Sequence, residues 1–311
     1  MSDNSGAGAA DRNLAVFPPD MSTGKKTRLR RIMYGHGPGN GRALILPFDQ
    51  GLEHGPRDFF DNPASVSPTY QLRLAKEGNF SAVAFQIGLA DKYFWDYAGE
   101  IPLVLKLNGK SDIPSDADPI SPCNASVEDA VRLGADAVGY TLYVGSTRQD
   151  EDFIQLAEIR EDCARFEMPL VVWSYPRGAA MKAKGGIDTQ YAIEYAARIA
   201  DELGADVAKV NYPKLGATPE APKPYDTLEL THEEAVSRVI TAAGRSKILI
   251  SGGSKGSDED VIDKARISLE AGAMGLIFGR NIWQRPWDES LKMVERLHSI
   301  FDSLPAPDYS G

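Results

Sequence analysis

At 311 residues with 42% hydrophobic side chains, the chain is long enough for one large barrel-type domain or two smaller ones. A formal net charge of −10 excludes a general binder of nucleic-acid backbone, which needs a basic surface, but leaves room for a local cationic pocket that takes a phosphorylated metabolite. Two cysteines, Cys123 and Cys163, are too few for a disulfide framework; with a polar N-terminus and no run of membrane-spanning length, the sequence reads as soluble and cytoplasmic.

Residues 1–24 are rich in Gly, Ala, Asn and Ser and are expected to form a loose arm. Lys25 to Tyr34 carries five cations (Lys25, Lys26, Arg28, Arg30, Arg31) and reads as a short helix beneath the domain, the charge run serving as a solvated face. From residue 43 a pattern recurs. Predicted strands are Ala43–Asp49, Ser81–Ile87, Pro102–Asn108, Ala137–Tyr143, Pro169–Tyr175, Val207–Tyr212, Lys247–Ser251 and Gly275–Phe278. Helices are predicted over Pro68–Gly78, from a Ser126 cap to Leu133, and over Asp152–Phe166, Thr189–Leu203, Thr231–Ala243, Asp258–Ala271 and Pro286–Leu304. Leu-Gly-Ala-Asp at 133–136 and again at 203–206 places a helix-ending glycine before a strand.

Eight strands alternating with helices, in units of about 30 residues, specify an α/β fold with a parallel sheet and favour closure into a single-domain (β/α)8 TIM barrel. The expected organisation is an arm and lead-in over 1–41, the barrel over 42–304 and a tail over 305–311.

In such a barrel, chemistry collects at the C-terminal ends of the strands. Asp49, Lys106, Asn108, Tyr175, Lys209, Ser251-Gly252-Gly253 and Gly279-Arg280-Asn281 all fall there. Singly each has a plain reading: Asp49 as a turn cap, Tyr175 as a core aromatic, Gly252-Gly253 as a turn. Lys209 is the anomaly, a lysine inside an apolar strand. Either its ammonium pairs with a carboxylate near the strand end, or burial lowers its pKa and leaves a neutral amine able to form a Schiff base with a carbonyl. The glycine-rich ends of strands seven and eight, with Arg280 and Lys255, fit a phosphate site. Arg177 is a candidate for a second anionic group, or else a surface ion pair. Four scattered histidines give little support for a metal centre, no Gly-x-Gly-x-x-Gly marks a dinucleotide site, and no cofactor is called for.

The motifs Pro47-Phe48-Asp49-Gln50-Gly51-Leu52-Glu53-His54-Gly55, Val171-Val172-Trp173-Ser174-Tyr175-Pro176-Arg177-Gly178, Lys209 in its strand, Ile250-Ser251-Gly252-Gly253 and Gly279-Arg280-Asn281 together resemble class I fructose-bisphosphate aldolases of the archaeal and bacterial (DhnA-like) type, from about residue 42 to 293. The resemblance implies a metal-independent lyase that cleaves fructose 1,6-bisphosphate, with Lys209 as Schiff-base lysine, Tyr175 moving protons and Asp49 as acidic partner. It places Trp173 and His54 at the substrate and Ser251, Gly252, Gly253, Gly279 and Arg280 at its phosphate, with Lys106 and Arg177 as looser matches. It also implies a homo-oligomer, plausibly a decamer, and no nucleic-acid or membrane partner. Contacts from the Pro-rich loop Lys214–Asp226 do not transfer. The same lysine would also serve a transaldolase or thiolase acting on another phosphorylated ketone, and a silent sugar-phosphate-binding barrel is the alternative outside enzymes.

Overall fold

The computed structural model describes residues 17–253 and 256–307, so Lys255 and most of the expected N-terminal arm lie outside the described residues. Eight parallel strands pair in chain order and close on themselves: β1 (Ala43–Phe48), β2 (Ala82–Gln86), β3 (Leu103–Lys106), β4 (Ala137–Val144), β5 (Leu170–Pro176), β6 (Val207–Val210), β7 (Lys247–Ser251) and β8 (Gly275–Ile277). β8 completes the ring against β1, with Ala43 opposite Gly275 and Ile45 opposite Ile277. This is the (β/α)8 barrel that the repeating pattern predicts.

The strands are buried on both faces, which is why they read as unbroken apolar runs rather than as alternating ones. The pleat divides their side chains between two cores. Ala43, Ile45, Ala84, Val104, Trp173, Val207 and Leu249 fill the barrel. Leu44, Leu46, Val83, Leu105, Val172 and Ile250 meet the surrounding helices. Helix Gln190–Glu202 shows the matching stripe: Ala192, Ile193, Ala196, Ala197 and Ala200 are buried, and the Thr189 hydroxyl accepts from the Ala192 N–H at the helix start. Ser126 with Asp129 and Thr231 with Glu234 form capping boxes at two other helix starts. The repeated Leu-Gly-Ala-Asp turns need glycine, since Gly134 and Gly204 sit at φ of 67° and 92°. Among the described residues no helix is long and apolar enough to cross a membrane.

The basic N-terminal segment corrects one expectation. It is a helix over Thr23–Arg30 that runs on as a π turn over Arg31–Gly35, and it closes the bottom of the barrel with Leu29, Ile32 and Met33. Its cations are not simply a solvated face. Lys25 pairs with Asp206 at 2.7 Å, Arg31 with Asp136 at 3.1 Å, and Arg28 donates to the Ala135 carbonyl at 2.7 Å. The two aspartates that close the Leu-Gly-Ala-Asp repeats are therefore the anchors of the plug.

Several further short helices were not predicted, and three of them follow strands directly. Ile87–Tyr93 follows β2 with no side-chain cap, so Ala82 to Ala90 reads as one apolar run with no boundary. Gln50–His54 and Arg280–Trp283 follow β1 and β8, and an aromatic cluster joins these two ends. Phe59 lies between Phe48 and Trp283, with ring centroids 5.5 and 5.4 Å apart. The Trp283 indole N–H donates to the Pro47 carbonyl at 3.2 Å, and the Gln284 amide to the Asp58 carbonyl at 2.7 Å.

Closure of the barrel yields a stability prediction. A methyl group on Gly275 would stand 1.9 Å from the Ala43 carbonyl oxygen, a backbone atom of the neighbouring strand. Gly275→Ala should cost about 3 kcal/mol and lower the melting temperature by several degrees in a calorimetric scan. An unchanged transition would mean that β8 does not press on β1 as described.

Candidate active site

The two-residue alternation that points Ala43 and Ile45 inward continues to Pro47 and Asp49; it carries Val104 to Lys106, Trp173 to Tyr175, and Val207 to Lys209. The candidate side chains thus rise inside the barrel towards its C-terminal mouth. There a pocket is lined by Asp49, Glu53, His54, Tyr175, Arg177, Lys209, Ser251, Gly252, Gly253, Gly279 and Arg280, with Gln50, Asp188 and Asn211.

Lys209 lies at the floor, 5% exposed. Its Nζ hydrogen-bonds with the Tyr175 hydroxyl and stands 5.2 Å from the centre of the Trp173 ring. Burial lowers the amine's pKa to about 8; the Lys106 and Arg280 cations push the same way, while Asp49 and Glu53 oppose them. Tyr175 responds in the other direction. Burial raises its phenol well above the ordinary value, and Glu53 and Asp49 add to the effect, so the group beside the amine is a protonated donor. Asp49 stands at the N-cap of Gln50–His54 but makes no side-chain cap bond, so the plain turn-cap reading does not describe it. Its carboxylate faces the Lys106 ammonium at 3.4 Å.

Lys106 and Trp173 lie beneath the pocket and are not among the residues that line it. Lys106 is fully buried, its Nζ 3.2 Å from Glu53 Oε1 and 5.1 Å from the centre of the Trp173 ring. Burial alone would lower its pKa, but Glu53 and Asp49 outweigh that and raise it, so Lys106 stays an ammonium. Its placement does not match the phosphate contact that the resemblance suggested.

The other end of the pocket is backbone-rich. Gly253 holds φ at 67°. A methyl on Gly279 would come 2.7 Å from Gln50 Nε2 and 3.0 Å from Pro47 Cγ, so the chain passes close to the β1 end here. The Asn281 side chain braces the loop after β7, donating to the Gly252 carbonyl at 2.9 Å and accepting from the Gly256 N–H at 3.0 Å. The Ser251 hydroxyl donates to Asn211 Oδ1 at 2.8 Å, and the Asn211 amide donates to Asp188 at 2.9 Å. Arg280 is held by Asp58 at 3.9 Å, and the same carboxylate takes the His54 ring at 2.7 Å. Arg177 lies over the Tyr175 ring at 5.1 Å and gives the pocket a second cation. Among the described residues no three His, Cys, Asp or Glu side chains are grouped to hold a metal ion.

Glu53, Asp188 and Asn211 were not singled out from the sequence. Glu53 carried a signal, since it lies four residues beyond Asp49 and one helical turn brings the two together. Asp188 lies in an irregular loop with no pattern to mark it.

Such an arrangement suits imine chemistry: a buried amine with a lowered pKa, a phenol hydrogen-bonded to it, carboxylates close by and arginines in the pocket lining. Residues 43–285 match the model of the DeoC/LacD family aldolases. The class 1 fructose-bisphosphate aldolase of Thermoproteus tenax is 45% identical over 261 residues, 84% of this chain and 89% of that protein. The class 1 fructose-bisphosphate aldolase of Halobacterium salinarum is 41% identical over 246 residues, 79% and 86% of the two chains. An archaeal fructose-1,6-bisphosphate aldolase, solved with its catalytic lysine covalently bound to the carbinolamine intermediate, superposes with a TM-score of 0.75 at 41% identity over 88% of this chain and 98% of that one. On these matches, this chain belongs to the DeoC/LacD family of aldolases.

Proposed function

We propose that this protein is a class I fructose-bisphosphate aldolase that cleaves fructose 1,6-bisphosphate to dihydroxyacetone phosphate and glyceraldehyde 3-phosphate through a Schiff base on Lys209. The observation that carries the reading is the buried Lys209 amine in hydrogen bond with Tyr175, in a pocket with Arg280 and Arg177 as separate cations. A substrate with a phosphate at each end suits such a pocket. The backbone at Gly252, Gly253 and Gly279 takes one phosphate with Arg280, and Arg177 faces the other.

In this mechanism neutral Lys209 attacks the C2 ketone of the open-chain sugar. Tyr175 gives its proton as water leaves the carbinolamine, and the iminium that forms draws electrons from the C3–C4 bond. The Tyr175 phenolate then takes the C4 hydroxyl proton, with Asp49 holding that hydroxyl, and the aldehyde phosphate departs. Tyr175 returns the proton to C3 of the enamine, and hydrolysis frees dihydroxyacetone phosphate and the amine. One water leaves at dehydration of the carbinolamine and one enters at hydrolysis, so the net reaction is bond cleavage with no redox change.

Borohydride reduction in the presence of dihydroxyacetone phosphate should leave the added mass on the peptide that contains Lys209. Lys209→Met should lose both the adduct and turnover while melting close to the parent, and turnover that survives this change would refute the reading. Tyr175→Phe should lower kcat for fructose 1,6-bisphosphate cleavage by roughly 100-fold or more. Arg280→Met should act mainly on KM.

The lowered pKa sets the pH dependence. A lysine with its usual value of 10.5 is almost wholly protonated at pH 7, and bringing it to about 8 raises the neutral fraction there roughly 300-fold. Activity should therefore rise as pH increases, with kcat/KM following a one-proton limb that levels off above about pH 8. A limb near pH 10 would mean that Lys209 is not desolvated as described.

A further inference from the structure

We propose that Lys106 is a positioning residue, not a phosphate ligand: its buried ammonium draws Asp49 and Glu53 together on one wall of the pocket and sets the field in which Lys209 acts. The inference rests on the Schiff-base reading above and adds a second lysine to it.

A lysine with no exposed surface is costly unless its charge is matched. The match here comes from the end of β1 alone, Asp49 at 3.4 Å and Glu53 at 3.2 Å, and the Trp173 ring lies 5.1 Å away. The ammonium is buried behind these carboxylates, which line the pocket while Lys106 does not. That placement gives the ammonium two consequences. Without it, two carboxylates one helical turn apart would face each other across a buried wall and swing apart. Without it, Lys209, which stands 5.2 Å from the centre of the same tryptophan ring, would see those carboxylates unopposed. Lys106 and the Trp173 ring both pack over Gly139 of β4, where a methyl would come 2.5 Å from the ring and 3.0 Å from Lys106 Cδ.

The other ionisable groups around the chamber are His54 beyond β1, Tyr143 of β4, Tyr175 of β5 with Arg177 just after it, Asp188 ahead of helix Gln190–Glu202, Lys209 of β6 and Arg280 after β8, while Gln86 at the end of β2 is uncharged. Of those acting on Lys209, Asp49 and Glu53 favour its charged form; Lys106 and Arg280 disfavour it. Removing Lys106 and removing Glu53 must therefore move the Lys209 titration in opposite directions, which a general loosening of the site would not do.

The test titrates Lys209 by competitive acylation with acetic anhydride, read by peptide mass spectrometry, alongside steady-state cleavage of fructose 1,6-bisphosphate. Acylation needs no substrate, so it stands apart from the functional reading. Lys106→Met should raise the Lys209 midpoint by about one pH unit, and Glu53→Gln should lower it by a similar amount. In Lys106→Met, kcat should fall at least tenfold with KM within about twofold of the parent. Midpoints that stay put or move together would overturn the proposal, as would a rise in KM at unchanged kcat, which would make Lys106 a substrate contact. If Lys106→Met does not fold, Glu53→Gln decides alone, since a midpoint that fails to fall removes the electrostatic role. A parent protein that shows the opposed shifts yet fails to cleave the bisphosphate would overturn the substrate assignment and leave this one standing.

Discussion

The site depends on the cost of burying positive charge. Lys106 and Lys209 stand on strands of the same barrel, and each amine lies about 5 Å from the centre of one tryptophan ring. Neither has appreciable access to water. Taking an ammonium out of water costs several kcal/mol even after the surroundings relax, and there are two ways to offset that cost. Lys106 takes the first and is held by two carboxylates. Lys209 takes the second: its nearest polar partner is a neutral phenol, and it gives up its proton more readily. One residue type in one chamber is thus a fixed cation in one place and a more readily neutralised amine in another, and the difference is that Asp49 and Glu53 contact Lys106 directly and act on Lys209 only through the field.

That division works only if the carboxylates stay where they are. Asp49 and Glu53 sit on a loop beyond β1, a part of the chain that would move if left to itself. The Phe48, Phe59 and Trp283 cluster ties this loop to the turn after β8, and Asp58 from the same loop reaches both His54 and Arg280. The acidic wall and the glycine-rich end with Arg280 are therefore one mechanical unit.

Much of this could be read from the chain, and the parts that could not have specific causes. The barrel was legible because eight apolar runs recur between capped helices, and because Ser126, Thr189 and Thr231 mark helix starts in the way their side chains later use. Lys209 was legible as a charge where the pattern demands apolar residues. Lys106 carried the same signal but not its meaning: spacing along a strand shows that a side chain points inward, not whether its end reaches the pocket or stops beneath it. Glu53 was passed over because Gln50–His54 is a helix of five residues, too short for a periodic pattern to show. The cations of Lys25 to Arg31 were read as solvated because their partners, Asp136 and Asp206, lie more than a hundred residues away, and only closure of the barrel brings them near.

Those bottom contacts also explain why the active end can be built as it is. An open barrel mouth lined with buried charges is unfavourable locally, and the closed end must supply stability that the working end gives up. The plug does this with apolar residues inside and ion pairs around the rim. Burial pushes the Asp136 carboxyl up to about 6 despite Arg31 and Arg28 nearby, so it, too, holds its charge at a cost that its partners only partly offset. A carboxyl whose pKa is raised on folding favours the fold fully only below its unfolded value, here 3.8, and loses that contribution as pH rises to its folded value, so Asp136 by itself weakens the bottom of the barrel between about pH 4 and 6. The Lys25–Asp206 pair and the Leu29, Ile32 and Met33 side chains carry the plug through the range in which Lys209 becomes neutral. The two ends of the barrel thus use buried charge differently: at the bottom it fixes a helix in place, and at the top it keeps one amine charged while the other gives up its proton more readily.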